Sequence, residues 1–270
     1  MLRASVAALA LGVCALLLAS CTTPGQRFQG AAAALGLQAT VTTPNALPLM
    51  VFRRDGSGPV QDLHVYLDGD GTPLDARGRP SRDPTTRKRL VLALLAADTT
   101  PSVLLGRPCY YLVAAACDPR LWTSARYGHE VLDALHAALV VLLAEYPRAH
   151  VTLIGYSGGG TLAMLLAPRL PRVTRVLTVA ANLDVTAWAR HHGHAPLTAS
   201  LDPATAPALP ATIAQFHWFG AEDDNVPAAL MRASLARQPQ GHVEVLAGHD
   251  HECCWAEIWP QLLATANAKH

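Results

Sequence analysis

Short apolar, β-branched runs alternate along this chain with longer stretches whose apolar residues recur every three or four positions. The short runs read as strands over residues 49–53, 63–67, 103–105 or 110–113, 151–154, 176–179, 213–219 and 243–246. Helical patterns fall near residues 86–97, 124–146, 160–170, 227–237 and 254–266. In the longest of these, positions 131, 132, 135, 138, 139, 142, 143 and 146 are apolar at a helical period. Asp133, His136 and Glu145 interrupt that stretch, which marks it as a packed helix and not a membrane span. Strands alternating with helices predict an α/β domain, with a mainly parallel central sheet covered by helices on both faces. Residues 188–210, rich in His, Pro and Ala, read as an insertion or lid. No internal repeat is present.

The first residues follow a different pattern. Arg3, an apolar stretch over 4–19 and the small residues before Cys21 have the form of a signal peptide spanning 1–20. Leu18-Ala19-Ser20-Cys21 resembles a bacterial lipobox. That resemblance implies lipid attachment at Cys21 and export from the cytoplasm. Thr22 in place of an aspartate implies an outer-membrane protein facing the periplasm. Acyl chains on one cysteine anchor a protein without a spanning helix. Residues 21–39 then read as lipidated N-terminus and tether, leading into a short alanine-rich helix, and 40–270 as one domain.

Composition narrows the function classes. A net charge of +1 gives no reason to expect a nucleic-acid partner. With 51% apolar and 15% charged residues the chain reads as a compact enzyme and not as a disordered segment. Of six cysteines, Cys14 lies in the signal and Cys21 at the lipobox. Cys109, Cys117, Cys253 and Cys254 remain, an even number that favours disulfides in an oxidising compartment. Three connectivities stay open, including a vicinal bridge between Cys253 and Cys254. A metal site is the poorer reading, because no C-x-x-C or paired-histidine spacing accompanies them.

The chemistry centres on Gly155-Tyr156-Ser157-Gly158-Gly159, which falls between the strand at 151–154 and the helix at 160–170. In a G-x-S-x-G turn between strand and helix, a serine is held on a strained backbone with its hydroxyl exposed. Glycines are needed there because the two backbones approach where a Cβ would collide. A serine hydroxyl becomes a nucleophile only beside a base that is itself oriented by a third group. Downstream candidates for the acid are Asp223, Asp224 and Asp184, and for the base His251 and His249. The tetrahedral intermediate needs two backbone N–H donors. Gly158 supplies one, and Asp70, in the glycine-rich loop Asp68-Gly69-Asp70-Gly71, the other. A calcium loop fails for that segment, since Pro73 and Arg79 stand where an EF-hand needs glycine and glutamate, and a plain turn is the alternative left open.

Together Gly155–Gly159, Gly220–Pro227 and Gly248–His251 resemble the α/β-hydrolase superfamily over nearly all of the mature chain. More narrowly, the lipobox, Cys109, Trp122–Tyr127 and Cys253-Cys254-Trp255 resemble its lipid-anchored bacterial members. The resemblance implies an order of nucleophile, acid and base that selects Ser157, then Asp223 after Gly220, then His251 in Gly-x-x-His. One departure stands out. The early loop reads Asp-Gly-Asp-Gly where many esterases have His-Gly-Gly-Gly.

The expectation is an exported serine hydrolase, lipid-anchored in the cell envelope, cleaving small carboxylic esters or thioesters through an acyl-enzyme with no cofactor. Two other readings compete: a non-catalytic surface-anchored binding protein on the same fold, and a peptidase or amidase using the same residues. His191-His192-Gly193-His194 reads as a loop near the site mouth and not as a metal ligand set. Arg77, Arg79, Arg82, Arg87, Lys88 and Arg89 read as a solvated loop, or as a contact for an anionic headgroup or acidic substrate. Arg126 is either a clamp for a carboxylate or phosphate, or a structural ion pair. Trp188, Trp255 and Trp259 either line an acyl pocket or fill the core.

Overall fold

The computed structural model describes residues 22–54, 60–112, 114 and 117–268. The signal segment and Cys21 lie outside the described residues. Helix α1 (Pro24–Ala34) opens the chain, held by a capping box in which Thr23 and Gln26 satisfy each other's backbone N–H groups. Eight strands follow: β1 (Gln38–Thr42), β2 (Leu49–Arg53), β3 (Asp62–Leu67), β4 (Ser102–Leu105), β5 (His150–Tyr156), β6 (Val173–Val179), β7 (Ala214–Gly220) and β8 (Gly241–Leu246). The remaining helices are α2 (Leu90–Ala97), α3 (His129–Ala144), α4 (Gly158–Leu166), α5 (Val185–His191), α6 (Ala228–Ala236) and α7 (Trp255–Ala268).

The strands form one sheet in the order β1-β2-β4-β3-β5-β6-β7-β8. Pairing is antiparallel from β1 to β2 and from β2 to β4, and parallel across the rest. The central strand β5 is buried from Val151 to Tyr156, as a strand covered on both faces must be. The mainly parallel sheet with helices on both faces is the architecture expected from the alternating pattern.

Where element boundaries differ from that expectation, the cause is local. Residues 110–112 do not form a strand, because Cys109 and Tyr111 adopt φ of 67° and 68°, which breaks an extended run. Helix α3 starts at His129 and not at Ser124, since Gly128 takes the N-cap position. Arg126 therefore lies in the turn before the helix and does not open it. Strand β1 is exposed along most of its length, so Gln38–Thr42 carries no apolar signal for a strand. Helix α5 starts before the segment expected as an insertion or lid and runs into it. It is capped by the Asp184 carboxylate, which accepts from the Ala187 N–H at 2.8 Å. Cys109 is bonded to Cys117 and Cys253 to Cys254.

Four loops leave the carboxyl ends of the parallel strands β3, β5, β7 and β8 on one side of the sheet. In open α/β sheets that is where ligands bind. These loops carry Asp68–Gly71, Ser157, Asp223 and His251.

Candidate active site

Ser157 sits in the turn from β5 into α4 at φ 51° and ψ −124°, a conformation that strains any residue with a side chain. Its backbone is fixed from both sides. The Ser157 N–H donates to the Val179 carbonyl at 3.0 Å, and its carbonyl accepts from Gly160 at 3.0 Å and Asn182 at 3.2 Å. The turn closes this tightly because of its glycines. A Cβ on Gly155 would lie 2.4 Å from the Gly159 carbonyl oxygen, and one on Gly159 would lie 2.0 Å from that of Leu67. Strand β5, helix α4 and the end of β3 thus meet at van der Waals limits around the serine.

The His251 Nε2 lies 3.1 Å from the Ser157 Oγ, and its Nδ1 lies 2.8 Å from the Asp223 Oδ2. The other Asp223 oxygen, Oδ1, accepts from the N–H groups of Asn225 at 2.9 Å and Val226 at 2.7 Å. Asp223 is buried and His251 half-buried, so the contact is shielded from bulk water. With one carboxylate oxygen tied to the backbone, the other is aimed at the imidazole, which favours the tautomer with a proton on Nδ1 and a free Nε2.

The competing candidates lie elsewhere. Asp184 caps α5, and Asp224 is exposed. The His249 ring turns away, with Nδ1 3.0 Å from the Ala247 carbonyl oxygen and its face 4.9 Å from the Trp255 ring centroid.

The loop after β3 passes over the serine. A Cβ on Gly69 would lie 3.2 Å from the Ser157 Cβ. The Gly69 N–H is engaged by the Asp68 carboxylate at 2.8 Å. The N–H groups of Asp70 and Gly158 have no protein acceptor among the described residues. Gly158 follows Ser157 directly in the chain, and Asp70 follows Gly69, the residue that approaches the Ser157 Cβ.

Behind this loop lies a buried polar cluster that the sequence reading did not assemble. The Asp70 carboxylate accepts from Arg107 Nη1 at 2.9 Å, Arg126 Nη1 at 2.9 Å and the Tyr127 hydroxyl at 2.6 Å. Burial pushes the Asp70 carboxyl up, but the Arg126 and Arg107 guanidiniums outweigh it and hold the group below the usual carboxylate range. Arg107 also donates to the Arg126 carbonyl at 2.7 Å and lies 5.3 Å from the ring centroids of both Tyr110 and Tyr127. Asp68 is in the opposite situation. Burial pushes its carboxyl up to about 6, against hydrogen bonds from the Gly69 N–H and the Tyr111 hydroxyl.

Ser157 and His251 open into a cleft of about 480 Å³. Tyr156, Trp188 and Asn225 form part of its wall, and Arg87, Lys88, Arg126 and His194 bring polar groups to it. Trp188 and His194 come from the expected lid segment. Trp255 and Trp259 do not reach the cleft but lie fully buried in the core, where Trp259 donates to the Tyr66 hydroxyl at 2.9 Å. Of the basic stretch, Arg79 pairs with Asp75 at 2.8 Å and Lys88 with Glu252 at 2.7 Å. Among the described residues no helix is long and apolar enough to cross a membrane.

No family model and no curated protein matches this sequence. Solved structures do match its shape. A membrane phospholipase A, described as a bacterial virulence factor, superposes with a TM-score of 0.61 at 14% identity, covering 99% of both chains. An α/β serine hydrolase homologue from Coxiella burnetii gives 0.55 at 14% identity, over 86% of this chain and 96% of its own. A serine hydrolase without a lid from Xanthomonas campestris gives 0.54 at 16% identity, over 86% and 92%. At these identities the likeness speaks to architecture, and with the strand order above it leads to one statement: the chain has the α/β-hydrolase fold.

Proposed function

We propose that this protein is a serine hydrolase that cleaves carboxylic esters or thioesters through an acyl-enzyme. The observation that carries this reading is the continuous contact Ser157–His251–Asp223 at one wall of the cleft. The Ser157 Oγ adds to the substrate carbonyl carbon while His251 Nε2 takes its proton. The oxyanion forms against the N–H groups of Gly158 and Asp70. Collapse breaks the ester bond, and His251 returns the proton to the leaving oxygen or sulfur. Water then repeats the sequence on the acyl-serine and restores the enzyme. Asp223 keeps the imidazole in the productive tautomer and stabilises its protonated form. Neighbours of the same fold include a phospholipase and serine hydrolases, which supports hydrolytic chemistry.

The lipobox supports a second part of the reading: export and anchoring through a lipid on Cys21, with the catalytic domain facing the periplasm from the outer membrane. Residues 188–210 would act as the lid over the cleft.

The test is Ser157→Ala. It should abolish cleavage of p-nitrophenyl esters, with a loss of at least about a thousandfold. Turnover that persists in this variant contradicts the assignment.

A further inference from the structure

The acidic groups that line the cleft are already engaged. Asp70 is shared by Arg107, Arg126 and Tyr127. Glu252 is paired with Lys88. The two oxygens of Asp68 accept from Gly69 and Tyr111. The cationic groups are not used up in the same way. Arg126 spends Nη1 on Asp70 and Nε on the Thr123 carbonyl at 2.8 Å, while its Nη2 has no protein partner among the described residues. Arg87 lines the cleft from the exposed rim with no ion-pair partner among the described residues. Two guanidiniums meet the Asp70 carboxylate, one on each oxygen, and Arg126 is the one of the two that lines the cleft. The cluster also stands next to the nucleophile: a Cβ on Gly158 would lie 2.1 Å from the Asp70 Oδ1. Burying such a group is costly, and a cationic fork held at a cleft wall with an open N–H edge matches a carboxylate or phosphate.

We propose that Arg126, with Arg87 at the rim, binds an anionic carboxylate or phosphate group on the ester that Ser157 attacks. The inference rests on the serine-hydrolase reading and adds the substrate class to it.

Two pairs of substrates separate the acyl side from the alcohol side. One is p-nitrophenyl butyrate against the p-nitrophenyl monoester of succinic acid. The other is glycerol monobutyrate against its 3-phosphate. The wild-type protein should favour the charged member of at least one pair by roughly tenfold in kcat/KM. Arg126→Gln should remove most of that preference, with Asp70 still held by Arg107 and Tyr127. Arg87→Gln should remove a smaller, salt-sensitive part. Inorganic phosphate should compete with p-nitrophenyl butyrate in the wild-type protein, a readout independent of whether Arg126→Gln folds. A wild-type protein indifferent to charge in both pairs, or a folded Arg126→Gln that keeps the preference, overturns the proposal. Failure to cleave any of the four esters, together with no labelling by a fluorophosphonate, overturns the hydrolase reading and this proposal with it.

Discussion

At the scale of single residues, the two aspartates after β3 behave in opposite ways. The two guanidiniums beside Asp70 hold its carboxyl below the usual range, whereas at Asp68 burial outweighs the hydrogen bonds from Gly69 and Tyr111 and the Arg107 charge and pushes the carboxyl up to about 6. A carboxyl raised on folding contributes stability that is fully present below its unfolded value, near 3.9, and lost as pH rises through about 6. A shift of about two pH units corresponds to about 3 kcal/mol at most. Asp68→Asn removes that dependence. The gap in Tm between Asp68→Asn and wild type should therefore widen in favour of the variant from pH 4.5 to 7.5, and a constant gap would count against the assignment. At the base, His251→Ala should lose at least about a thousandfold in kcat and His249→Ala little, since only the first ring reaches Ser157. The contact that joins Ser157, His251 and Asp223 was legible because each of the three sits in a short motif at a strand end. The contacts of Arg107 and Tyr127 with Asp70 were not, since they join residues 37 and 57 positions apart and no local pattern records them.

At the scale of elements, the turn between β5 and α4 is where backbone geometry and chemistry meet. Gly159→Ala places a methyl 2.0 Å from the Leu67 carbonyl oxygen, a backbone atom that cannot swing aside. The variant should lose at least about 2 kcal/mol of stability by urea denaturation. It should also label more slowly with a fluorophosphonate, because the end of β3 and the loop over Ser157 must move together. Apolar runs found seven of the eight strands: burial shows in the residues of six, and β8 was found by Val243, Val245 and Leu246 although it lies largely exposed at the other sheet edge. They did not find β1, whose Gln38–Thr42 lies exposed at the sheet edge. Helical periodicity ran the start of α2 back to Thr86, although the residues before Leu90 form a loop in which the Thr86 Oγ1 accepts from the Lys88 N–H at 3.1 Å. Charged and threonine residues next to a helix carry no signal of where the backbone turns.

At the scale of the whole molecule, four strand ends converge on one cleft, and the sheet order determines which loops can meet there. β3, β5, β7 and β8 each deliver one part, and β3 and β5 are direct neighbours, which brings the Asp68–Gly71 loop onto Ser157. The proposed lipid anchor at Cys21 makes a prediction about location. Cys21→Ser should release the protein from the membrane fraction without altering turnover in detergent, as measured by fractionation and ester assay.

The central claim is that Ser157 is the nucleophile and that His251 activates it. Peptide mass mapping after reaction with a fluorophosphonate tests both parts at once. The account predicts one adduct per chain, carried by Ser157, and its loss in His251→Ala. An adduct on any other residue, or undiminished labelling of Ser157 in His251→Ala, would contradict it.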